Sequence, residues 1–155
     1  MLFRSTIEAD VQIAGATTEG VLIAHGDMTS GYSLYIKDNR LTYDMNVGGV
    51  HHIAVSDRPL PAGNRLLGVR MRRDKGQNIA TLLIDGEPSG GFETPLGFVS
   101  FISWTGLDIG RDRSSPVSHY EAPFAFTGEL AKVVVTIEDE QGDAEGAAQA
   151  LLARE

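Results

Sequence analysis

Hydrophobic side chains recur at every second position in run after run of this chain, and that period limits its fold more than any other feature. Ile7, Ala9, Val11 and Ile13 alternate with Glu8, Asp10 and Gln12. Tyr32, Leu34 and Ile36 alternate with Ser33, Tyr35 and Lys37, and Leu41, Tyr43 and Met45 with Thr42, Asp44 and Asn46. Successive side chains of an extended strand point to opposite faces, so each run forms a strand with one apolar face. Further strands are expected at Gly20–His25, Val50–Val55, Arg65–Arg73, Asn78–Ile84, Leu107–Ile109 and Phe126–Ile137. In Arg65–Arg73, Leu67, Val69 and Met71 share one face, and Leu66, Arg70 and Arg72 the other. Val21-Leu22-Ile23-Ala24 is apolar on both faces, as a covered central strand would be.

Turn chemistry separates these runs. Asp38-Asn39 is a two-residue link between two alternating segments, and both residues tolerate positive φ, which predicts a tight hairpin. Asp85-Gly86 is a second such signal. No helix interleaves with the strands, so the expected fold is all-β: an antiparallel two-sheet β-sandwich or jelly roll. No internal repeat is visible, which excludes a propeller or solenoid.

A chain of 155 residues accommodates one such domain, here residues 1–137. Residues 138–155 differ: Glu138, Asp139, Glu140, Asp143, Glu145 and Glu155 face the single base Arg154, making an acidic tail. Within it Ala147, Ala148, Leu151 and Leu152 follow helical spacing, so a short helix over Asp143–Arg154 is the alternative to a frayed end. The net charge of −8 argues against nucleic acid or a membrane surface as partner. The absence of cysteine excludes disulfides, thiolate metal sites and cysteine nucleophiles. Met1-Leu2-Phe3-Arg4-Ser5 leads into acidic, alternating sequence too soon for a signal-peptide core, so the chain as written reads as cytoplasmic.

One stretch is more particular: Gly106-Leu107-Asp108-Ile109-Gly110-Arg111-Asp112, then Pro116-Val117, Tyr120, Pro123-Phe124 and Phe126-Thr127-Gly128. It resembles the C-terminal accessory β-sandwich of bacterial arylsulfatases. Gly20–Gly26 and Gly31–Asp38 look like the same region, and with Phe126, Gly128, Leu130 and Val133 they are similar to laminin-G-like, concanavalin A-like sandwiches. The likeness covers roughly residues 5–137. Read physically, Gly110 lets the backbone leave a strand sharply, and Pro116 and Pro123 stiffen the loop that follows. Tyr120, Phe124 and Phe126 would pin that loop to the sheet, with Arg111 bonding a carbonyl or a carboxylate.

The resemblance implies an interaction or scaffold module that packs on a sulfatase catalytic domain, in a longer parent or as a separate chain; self-association is a further partner reading. It does not imply sulfatase chemistry. The nucleophile motif Cys/Ser-x-Pro-x-Arg is missing, since the nearest match, Ser114-Ser115-Pro116-Val117-Ser118, ends on serine instead of arginine. No catalytic residue and no cofactor are therefore expected. Laminin-G-like sandwiches can hold calcium at a loop rim, and Asp108 and Asp112 are the candidate ligands. The alternative function is carbohydrate binding, calcium-dependent or not, with Tyr35, Trp104 and Tyr120 as glycan or partner contacts. Of the histidines His25, His51, His52 and His119, the adjacent pair cannot ligate one ion from a regular strand, and no spacing supplies three ligands. Ser118, His119 and Asp112 form a hydrolytic set on paper only, without a nucleophile elbow.

Overall fold

The computed structural model describes residues 3–95, 106–139 and 148–153. They form eleven strands: β1 (Phe3–Ile13), β2 (Gly20–Asp27), β3 (Ser30–Lys37), β4 (Arg40–Val47), β5 (Val50–Val55), β6 (Gly63–Asp74), β7 (Gln77–Ile84), β8 (Glu87–Thr94), β9 (Leu107–Ile109), β10 (Glu129–Asp139) and β11 (Ala148–Ala153). One sheet has six strands in the order β11-β10-β1-β6-β7-β8, the other five in the order β5-β4-β3-β2-β9. Every strand pairing within the sheets is antiparallel. The two-sheet all-β sandwich expected from the alternation is the fold observed.

Register assembles the core. Ile7 lies opposite Val69 and Val135, and Ala9 opposite Leu67 and Val133, so one face of the six-stranded sheet is a continuous aliphatic layer. It packs on Leu22, Leu34, Ile36, Leu41 and Met45 of the other sheet. Burying each of these larger side chains stabilises the fold by about 1.5–3 kcal/mol. Both anticipated hairpins form: Asp38 and Asn39 have φ of 52° and 61°, and Asp85 and Gly86 of 53° and 83°. Two positive φ values in succession match the right-handed twist of the flanking strands.

Three elements depart from expectation. Strand β8 is absent from the expected set, since Pro88, Gly90 and Gly91 interrupt any alternation there. It is an edge strand, where a proline near the start costs no central ladder bond. Its glycines answer to close approach: a Cβ on Gly91 would stand 2.1 Å from the Ala80 carbonyl oxygen, and one on Gly90 2.5 Å from that of Val55. Strand β10 begins at Glu129 instead of Phe126, whose ring sits in the core while its N–H bonds the Gly110 carbonyl at 3.0 Å. Ala148–Ala153 is the strand β11 and not part of a helix. A helix of about 12 residues is marginal alone, whereas pairing satisfies a row of backbone groups on β10. Residues 140–147 lie outside the described residues.

Candidate functional site

The segment from Gly110 to Gly128 lies over the outer face of the five-stranded sheet. On β3 and β4 the residues that alternate with the core, Ser33, Tyr35, Thr42, Asp44 and Asn46, are buried as well, although they face away from it. Asn46 donates from Nδ2 to the Val117 carbonyl at 3.0 Å, and the Tyr35 hydroxyl pairs with Ser118 Oγ at 2.9 Å. The rings of Tyr35, Tyr120 and Phe124 meet edge-on or stacked at 5.0–6.2 Å between centroids. The pinning expected of Tyr120 and Phe124 is thus observed.

Two of the three residues singled out for ligand contact, Tyr35 and Tyr120, lie in this seam. Tyr35 is 3% exposed and offers no ring face to a sugar. The Tyr120 hydroxyl donates to Asp112 Oδ2 at 2.6 Å and lies 3.0 Å from Ser33 Oγ. Burial and the adjacent carboxylate push that hydroxyl well above the ordinary tyrosine range. Trp104 lies outside the described residues.

Asp108, on β9, receives Arg113 Nε at 2.8 Å and Nη2 at 2.7 Å on Oδ1, and the Arg113 N–H at 2.9 Å on Oδ2. Arg113 therefore supplies the guanidinium expected of Arg111. Asp112, 1% exposed, accepts the Tyr120 hydroxyl and the Val117 N–H on Oδ2. Calcium takes six to eight oxygen ligands, whereas here a guanidinium neutralises Asp108 and Tyr120 engages Oδ2 of Asp112, whose buried Oδ1 has no hydrogen-bond partner. In this geometry both aspartates organise the loop. Ser118, His119 and Asp112 are likewise divided among separate partners, Ser118 with Tyr35 and Asp112 with Tyr120.

An open concavity among the described residues is on the other sheet. Strand β1 runs between β6 and β10, and its even-numbered residues face outward. Thr6 lies opposite Arg70 and Thr136, and Arg4 opposite Glu138. With Glu8, Leu83 and Gly86 these residues line a groove of about 310 Å³, the size of a small-ligand cleft. Leu83, 3% exposed, lies beneath the groove beside Gly68, where a Cβ would stand 2.5 Å from the Ile7 carbonyl oxygen. The guanidiniums of Arg4 and Arg70, the carboxylates of Glu8 and Glu138, and two threonine hydroxyls stand around it. Such a wall can pair with an anion and exchange hydrogen bonds with several hydroxyls.

Alternation already set Arg70 and Arg72 apart from Leu67 and Val69. What it does not contain is the adjacency of β1, β6 and β10. The structure also corrects the reading of the histidines: His51, on β5, and His119, on the covering loop, converge on the buried carboxylate of Asp44.

No family model matches the chain, and the comparison with curated proteins gives no match. Solved structures do resemble it. The Ruminococcus gnavus IT-sialidase CBM40 bound to α2,6-sialyllactose is 16% identical with a TM-score of 0.60, over 94% of this chain and 82% of that one. Domains LG4-5 of the mouse laminin α1 chain are 15% identical with a TM-score of 0.60, over 96% of this chain and 40% of theirs. The native heptameric SAP-like pentraxin of Limulus polyphemus is 16% identical with a TM-score of 0.54, over 86% and 68%. These likenesses lend no support to the arylsulfatase resemblance in particular. At such identities the likeness is one of fold, that of a laminin-G-like or pentraxin-like β-sandwich.

Proposed function

We propose that this chain is a non-catalytic carbohydrate-binding module and that the groove across β1, β6 and β10 is its binding face. The groove itself carries the reading: a sheet face lined by two arginines, two glutamates and two threonines suits a glycan bearing an acidic group and several hydroxyls. Sialyllactose in the similar CBM40 supports the ligand class. Calorimetric titration of the whole chain with α2,6-sialyllactose, and with lactose as the neutral comparison, tests the reading. Saturable binding that weakens at least tenfold in Arg70→Ala, with the melting temperature kept, is the expected result. Equal binding by wild type and variant, or none, would remove it.

A second reading, an accessory module docked on a sulfatase catalytic chain, draws on exposed apolar side chains of the edge strand β5. There Val50, Ile53 and Val55 are 52%, 37% and 46% exposed. Co-elution with such a chain, abolished by Ile53→Lys, is its expected signature.

A further inference from the structure

The convergence of Asp44, His51 and His119 has no part in either reading. Asp44 is fully buried on β4; its Oδ2 is 2.6 Å from His51 Nδ1, and its Oδ1 has no hydrogen-bond partner. A buried carboxylate oxygen normally has one. His51 extends from β5, and its ring lies 4.4 Å from that of His119 between centroids. One ligand atom from each of the three residues lies within 4.8 Å of the other two.

The scaffold holds all three. Two sit on neighbouring strands joined by a tight turn at Gly48 and Gly49, both at positive φ. The third rides on a loop whose backbone is tied down on either side of the ring: Lys37 Nζ donates to the His119 carbonyl at 2.9 Å, and Ser118 is bonded to Tyr35. The ligands are therefore positioned before any ion arrives. Neighbouring ligand atoms of a tetrahedral ion with bonds of about 2.1 Å are about 3.4 Å apart. The 2.6 Å His51–Asp44 contact has to open and the wider separations, up to 4.8 Å, have to close, with the His51 ring binding through one nitrogen and carrying its single hydrogen on the other.

We propose that Asp44, His51 and His119 form a binding site for a divalent transition-metal ion of the zinc class. Two imidazoles and one carboxylate are the donor set that such ions favour, whereas calcium and magnesium take oxygens. Three protein ligands leave a fourth position for water or for a group of a partner. The ion would clip the edge strand β5 to the loop covering its own sheet. The inference is independent of the glycan groove, which lies on the other sheet.

The test uses the full chain, freed of any polyhistidine tag and stripped with a chelator, titrated with zinc chloride by calorimetry and with cobalt(II) by visible absorption. One ion per chain, micromolar or tighter, is expected, with a rise in melting temperature and a tetrahedral cobalt band. Calcium should give neither. His119→Ala and His51→Ala should each weaken zinc binding at least tenfold, whereas His25→Ala should bind as wild type does. His119 is an exposed loop residue, so its variant keeps the fold. Absence of saturable binding at micromolar zinc, or unchanged binding in His119→Ala, would overturn the proposal and leave the cluster a metal-free hydrogen-bonded pair beside a second imidazole.

Discussion

Asp112 joins several of the forces that hold the covering loop. Burial raises its carboxyl above the ordinary 3.8, and the hydrogen bonds from Tyr120 and the Val117 backbone offset only part of that rise. Between 3.8 and the raised value the folded chain keeps a proton that the unfolded chain has lost. The contribution of this group to stability is therefore greatest below 3.8 and falls as pH rises through that window. Asp112→Asn keeps an acceptor and removes the titration. Its stability relative to wild type, measured by urea unfolding, should be more favourable at neutral pH than below the window. Tyr120→Phe instead takes a donor from a buried carboxylate, and should cost about 1–3 kcal/mol at neutral pH in the same measurement. The sequence pointed to Tyr120 and Phe124 as pins, since aromatic residues in a proline-bounded loop have few other ways to be buried. It did not distinguish Arg113 from Arg111, because a loop without regular geometry does not say which of two nearby guanidiniums will face Asp108.

Strand β8 and the turn before it separate a glycine needed for its conformation from one needed for space. Gly86 sits at a φ of +83°, and a Cβ there would meet nothing within 4 Å, so Gly86→Ala should cost about 1 kcal/mol through backbone strain. Gly91 lies in the strand, where a Cβ would meet the Ala80 carbonyl oxygen of the paired backbone. Gly91→Ala should be the more damaging change, costing about 1–3 kcal/mol or more, read as a lower urea midpoint. Composition could not reveal this strand: without side chains to alternate, Gly90 and Gly91 look like loop. Strand β11 was hidden for a related reason. Alanine and leucine favour a helix locally, but an open row of backbone groups on β10 offers a partner that no local preference reports.

The sandwich closes by joining distant segments. Strand β1 pairs with both β6 and β10, so the chain must be brought together over most of its length before the aliphatic layers meet. Refolding followed by tryptophan or tyrosine fluorescence should relax over milliseconds to seconds, and a dominant microsecond phase would contradict so non-local a core. The same closure makes both surfaces discussed above. The proposed glycan groove needs β10, β1, β6 and β7 side by side, and the proposed metal cluster needs a hairpin and a distant loop to arrive at one carboxylate. Alternation and paired turn residues could be read directly, because they express steric preferences acting over a few residues: the apolar faces, the hairpins at Asp38-Asn39 and Asp85-Gly86, and the all-β class followed from them. The order of strands, the edge completed by β11, and the meeting of Asp44, His51 and His119 depended on how the whole chain packs, since contacts between remote segments are chosen by burying one shared core and leave no spacing in the residues between.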